Sequence, residues 1–153
     1  GVDRICYLQC SEDAATGELL ASQKIEWVRK PHKPHAPDQR FQNLPVRIAA
    51  PEIYAQLVQG QTVSGYLSQL PPGEFRDSLE EFETRSVLLF PILVDQELFG
   101  LLSFDDCKQE RDWTEEEIWL LNTISSNMTA AIQRFNIQSA LEQNSSSSPP
   151  CRK

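Results

Sequence analysis

The stretch SVLLFPILVDQELFGLLSF, residues 86–104, leaves a chain of this kind little choice of fold. It reads as two strands joined at Asp95-Gln96, apolar at nearly every position rather than at alternate ones. A strand with one wet face alternates, whereas a strand that is apolar throughout needs cover on both faces. The rest of the chain must therefore supply a layer on each side of this hairpin. Pro91 cannot donate to a ladder and predicts a bulge or irregular pairing at that point.

Residues 4–10 (RICYLQC) and 19–28 (LLASQKIEWV) are rich in strand formers and are separated by the turn-like SEDAATGE, which suits an antiparallel pair. The next seventeen residues, RKPHKPHAPDQRFQNLP, contain four prolines and are expected to form a long extended loop. PEIYAQLVQG, residues 51–60, has the marks of a short helix, with proline at its start and glycine at its stop. QTVSGYL follows as a short strand, then the acidic, loosely helical PPGEFRDSLEEFETR.

After the hairpin comes FDDCKQERDWTEEEIWLL, residues 104–121. Thr114 and Glu117 have the spacing of a capping box, and Trp113 and Ile118 that of a hydrophobic staple. Glu115 and Glu116 fall in the first turn, where the helix dipole favours negative charge. The glutamates thus mark a helix start, with no chemistry required. Asp105 and Asp106 close the preceding strand, where charged residues commonly face water. Two adjacent carboxylates beside Cys107 are too few ligands, of too mixed a hardness, for a metal site.

At 153 residues the chain is one domain's worth of core. Its formal charge of -8 argues against a nucleic-acid partner. No apolar run approaches the roughly 18 residues of a membrane span, and no signal peptide is visible, because the first residues already read as a strand. Cys6, Cys10, Cys107 and Cys151 form no CxxC pair and suit a reducing cytoplasm. Cys6 and Cys10 share one side of their strand and read as buried, inert thiols.

The order of these elements matters. SVLLFPILVDQELFGLLSFDDCKQERDWTEEEIWLLNTISSNMTAAIQR resembles the C-terminal half of a GAF domain: a V-P-I-type strand, a tight turn, a G-x-L-x-F strand, an acidic exit and a W-[ST]-x-E-E-capped helix. DRICYLQ, LLASQKIEW and FQNLPV resemble the first strands and the loop of the same family, so the likeness covers roughly residues 2–135. It implies an α+β fold of the GAF/PAS kind. A central antiparallel sheet of five or six strands would carry helices on one face and a pocket covered by loops and helices on the other. The domain would span residues 1–141, with a disordered, serine- and proline-rich tail over 142–153. Because the sequence opens at the first strand, the helix that normally precedes it is expected to be missing, as in a piece cut from a longer protein.

The resemblance implies a non-catalytic sensory domain of a bacterial signalling protein, such as a histidine kinase, cyclase or regulator. Such a domain binds a small molecule and pairs as a homodimer. A bilin-binding member would carry a cysteine, typically followed by histidine, before the LLFPIL strand; residues 61–86 have none, so no covalent bilin is expected and the cofactor is unknown. SFDD has the phenylalanine and acids of the cyclic-nucleotide signature but no asparagine-lysine pair, and the catalytic cysteines of the methionine sulfoxide reductase relatives are absent from the pocket segment. His32 and His35 in PHKPH have metal-like spacing, but without a third ligand they read as solvent-exposed rather than as metal or haem ligands. A tetrapyrrole- or haem-based light or redox sensor and a ligand-free dimerisation module stand as alternatives.

Two sets of site residues follow. A ligand pocket between the sheet and residues 29–85 would draw on the aromatics Trp27, Phe41, Tyr54, Tyr66, Phe82 and Phe90. The last helix, over residues 115–141, would face the sheet with Leu120, Leu121, Ile124, Met128, Ala131, Ile132 and Phe135. Trp119, Ala130, Ile137 and Leu141 would form a second stripe, the dimer interface.

Overall fold

The computed structural model describes residues 1–34 and 38–146, without the side chain of Ser146. Turn chemistry sets its two hairpins. Asp13 Oδ1 accepts the amides of Ala15 and Thr16 at 2.8 and 3.3 Å, and Gly17 takes φ 72°, reversing the chain between β1 (Arg4–Glu12) and β2 (Leu19–Val28). Asp95 and Gln96 both have positive φ, 51° and 65°, the primed-turn geometry that matches strand twist. They join β5 (Ser86–Val94) to β6 (Glu97–Asp106) at the position read from the sequence.

The proline-rich stretch is less extended than expected. It holds a 3₁₀ turn over Gln39–Phe41, started by Asp38, and the two-residue strand β3 (Leu44–Pro45). Two short helices follow, α1 (Val46–Ala49) and α2 (Pro51–Leu57), then β4 (Val63–Tyr66) and the acidic helix α3 (Glu74–Glu81). The strands make one six-stranded antiparallel sheet in the order β3-β2-β1-β6-β5-β4.

Both faces of the hairpin are covered. On one face Leu88, Phe90, Ile92, Leu102 and Phe104 pack against Trp113 and Leu121. On the other, Leu89, Leu98 and Leu101 pack with Val46, Leu57 and Val63 under α1 and α2. Two bulges set which residues face which way. Leu8 pairs with Gln23 but Tyr7 with Ile25, so Lys24 is an extra residue and the parity of β2 reverses there. Ile92 pairs with Gly100 but Leu93 with Leu98, which leaves Phe99 over. Pro91 itself stays in register with Leu101, and the irregularity falls one residue later. Gly100 lies where β1 crosses closest: a Cβ there would sit 2.6 Å from the Leu8 carbonyl oxygen.

The long helix α4 (Glu115–Ser146) begins as its sequence dictates. Thr114 N donates to Glu117 Oε2 at 3.0 Å and Glu117 N to Thr114 Oγ1 at 3.2 Å, a reciprocal capping box. Trp113 and Ile118 meet in the core beside it. The staple points Ile118 inward, so the seam against the sheet runs through Ile118, Leu121, Ser125, Met128 and Ile132. This corrects the expected arc, for Leu120, Ile124, Ala131 and Phe135 are exposed. Ser125, a polar residue absent from that arc, is buried in the seam. The helix also continues to Ser146, through the first residues of the expected disordered tail; residues 147–153, Cys151 among them, lie outside the described residues.

Candidate functional site

Between the sheet and its cover of α1, α2 and α3 lies a cavity of about 80 Å³. Leu8, Val87, Leu89, Leu98 and Leu101 form its floor, and Phe41, Val46, Ile53, Tyr54, Leu57, Phe75 and Leu79 its roof. One end is polar, made by Cys6, Gln23, Ser103 and Asp105. Gln23 is 7% exposed, and neither Oε1 nor Nε2 has a hydrogen-bond partner among the described residues. The bulge at Lys24 is what turns Gln23 and Glu26 to the same side of β2.

Behind Gln23 stands a buried ionic cluster. Arg4 is 0% exposed; its Nη1 donates to Thr84 Oγ1 at 2.9 Å, Asp105 Oδ2 at 3.5 Å and Cys107 Sγ at 3.6 Å. Its Nη2 donates to the Lys33 and Phe82 carbonyls at 2.6 and 3.3 Å, and Nε lies 3.6 Å from Glu26 Oε2. Burial pushes the Asp105 carboxyl up, against the opposing pull of its Ser103 hydrogen bond and the Arg4 charge. Burial, with Asp105 and Glu26 adding to it, also pushes up the Cys6 thiol, which makes it a poor nucleophile. Asp105 and Asp106 are both buried, which corrects the expectation that they face water. Asp106 instead holds Arg111 Nε at 2.7 Å and accepts the Lys108 and Gln109 amides.

Of the aromatics expected at a pocket, Phe41 and Tyr54 line the cavity. Phe82 stacks edge-on to Phe41 at 5.4 Å, one layer behind, under the guanidinium of Arg4. Tyr66 lies at the outer strand β4 and donates its hydroxyl to Asp112. Trp27 and Phe90 sit on the other face of the sheet: Trp27 pairs with Ile5 beyond the parity reversal, half-exposed, and Phe90 packs on Phe104 under α4. The roles of Gln23, Ser103 and Asp105 at the polar end, and of Arg4 behind it, were missed. One signal existed, since Arg4 and Asp105 are opposite charges on strands that pair them directly.

His32 is not solvent-exposed as expected. Its Nε2 lies 3.9 Å from Asp3 Oδ1 and its Nδ1 3.7 Å from Glu83 Oε2, with the side chain 13% exposed. Asp3, His32 and Cys107 bring ligand atoms within 4.8 Å of one another. His35 lies outside the described residues. On α4, Trp119, Ile137 and Leu141 are exposed and Ala130 is half-buried.

A six-stranded antiparallel sheet with a capped helix on one face and a roofed cavity on the other is the arrangement the family resemblance implied, and the family model for the GAF domain matches residues 1–132. The chain belongs to the GAF domain family. The methanogenesis regulatory histidine kinase FilI of Methanothrix harundinacea (strain 6Ac) is 31% identical to it over 125 residues, 82% of this chain and 14% of FilI. The circadian input-output histidine kinase CikA of Thermosynechococcus vestitus (strain NIES-2133 / IAM M-273 / BP-1) is 31% identical over 62 residues, 40% of this chain and 8% of CikA. The GAF domain thus spans a small part of either relative.

Among solved structures, the blue-light absorbing form of the Thermosynechococcus elongatus PixJ GAF domain superposes with a TM-score of 0.73 at 23% identity, over 95% of this chain and 81% of that one. The GAF domain of a two-component sensor histidine kinase from Bacillus halodurans gives 0.66 at 18% identity, over 91% and 86%. At these identities the likeness is one of fold. The cavity of about 80 Å³ is compact, and α3 contains no cysteine.

Proposed function

We propose that this GAF domain is the non-catalytic sensory module of a cytoplasmic, multidomain signalling protein of the histidine-kinase kind. It binds a compact small molecule in the cavity under α1–α3 and relays occupancy through a homodimer along α4. The observation that carries the reading is Gln23. A buried carboxamide left without partners costs about 1–3 kcal/mol for each group. A ligand with a donor and an acceptor side by side, an amide, imide or pyrimidine-like edge, satisfies both atoms at once. The raised Asp105 carboxyl beside it favours a neutral ligand over a charged one.

The dimer part rests on α4. The helix is 32 residues long, but its seam with the sheet ends near Ile132, while Trp119, Ile137 and Leu141 expose large apolar surface. Mass spectrometry of small molecules released from the purified chain tests the ligand. A single compact compound retained by the wild type and lost from Gln23→Leu supports the reading. A chain that retains none, and is stabilised by none of a library of compact amides, is a ligand-free dimerisation module instead.

A further inference from the structure

We propose that Asp3, His32 and Cys107 form a site for one divalent transition-metal ion of the zinc class, with its fourth position open. The three residues lie just before β1, in the loop after β2 and just after β6, and their ligand atoms already lie within 4.8 Å of one another. Around a tetrahedral zinc with bonds of roughly 2.0–2.3 Å, ligand atoms stand about 3.3–3.6 Å apart. The gap closes with small side-chain movements.

Each side chain has the atom required. Asp3 Oδ2 accepts the Cys107 amide at 3.1 Å, which fixes the carboxylate and leaves Oδ1 turned towards His32 Nε2 at 3.9 Å. Glu83 Oε2 faces the other ring nitrogen, Nδ1, which is buried and has no hydrogen-bond partner among the described residues. A metal on one imidazole nitrogen with a carboxylate orienting the other is a recurrent arrangement. The Cys107 proton leaves to solvent as the metal–sulfur bond forms. Carboxylate and thiolate together then balance the ion's charge. Arg29 Nε and Lys108 Nζ each lie 3.7 Å from Asp3 Oδ1, but both side chains are more than half exposed and can turn to water. One nitrogen, one oxygen and one sulfur donor favour zinc and exclude calcium and magnesium, which take oxygen. Such an ion would clamp the chain's entry to and exit from the sheet. Through the contact of Arg4 with both Cys107 and Asp105, it would also adjoin the cavity's polar end.

Cobalt titration of the untagged, reduced full chain tests this. The expected result is a near-ultraviolet thiolate-to-cobalt band that saturates at one ion per chain and is discharged by Zn²⁺. The band disappears in Cys107→Ser, and affinity falls at least about tenfold in His32→Ala. His35→Ala and Cys151→Ser leave both unchanged. No band at stoichiometric Co²⁺, or a band that survives in folded Cys107→Ser, overturns the proposal. If Cys107→Ser is unfolded by circular dichroism, the loop variant His32→Ala decides: an unchanged affinity there overturns it equally.

Discussion

Arg4 reaches across the sheet to bind segments that are distant in sequence: Thr84, Asp105, the Lys33 carbonyl and the Phe82 carbonyl. Removing one partner from a buried ion pair strands the other, at about 3–5 kcal/mol. Arg4→Ala is expected to lower the unfolding free energy by that amount in urea denaturation, with an unchanged m-value. Thr114→Ala, which removes half of the capping box, is expected to cost about 1 kcal/mol by the same measurement. Glu117 gives a pH signature. Its bonds to Arg111, and then to Thr114, hold the carboxyl at about 2 against an ordinary 4.5. A carboxyl lowered on folding contributes stability that is complete above the ordinary value and is lost as pH falls through the folded one. Between about pH 4.5 and 2 the wild type should therefore lose more stability than Glu117→Gln, whose acid limb is shallower. These residues were not equally legible. The capping box follows from spacing within four residues. The burial of Asp105 and Gln23 depends on which strands become neighbours and on a bulge that the local sequence does not announce.

At the scale of elements, the sheet is governed by two bulges and one close crossing. Gly100 meets the Leu8 carbonyl oxygen and the Tyr7 ring too closely for any Cβ. Gly100→Ala must part β1 from β6 and is expected to cost about 1–3 kcal/mol, with amide exchange faster across both strands than elsewhere. The hairpin, the first two strands, the helix start and the turn at Asp95-Gln96 were readable, because turn residues and hydrophobic period are local. Orientation was not. Trp27 was placed at the pocket as one of a group of aromatics, yet the extra residue Lys24 sends it to the opposite face. Phe90 stands in a strand apolar on both sides, so composition gave no clue to its direction. The azimuth of α4 was misread for the converse reason: the polar Ser125 lies in the seam and Phe135 lies out of it.

At the scale of the molecule, the two layers divide the work: α4 closes one face of the sheet and extends past it, while α1–α3 roof a small cavity on the other. Trp119 is 70% exposed on the part of α4 that still overlies the sheet. Light scattering at tens of micromolar is expected to give a dimer mass for the wild type and a monomer mass for Trp119→Glu. A monomeric wild type would remove the relay from the account. The cavity is the larger claim, and methyl-resolved NMR addresses it most directly. The full chain is titrated with ring-sized amides and imides, and the shifts are mapped onto the leucine methyls. The prediction is a cluster of shifts at Leu8, Leu57, Leu89 and Leu101 that is absent from Gln23→Leu. Shifts confined to the outer face of α4, or a cluster unchanged by Gln23→Leu, would contradict it.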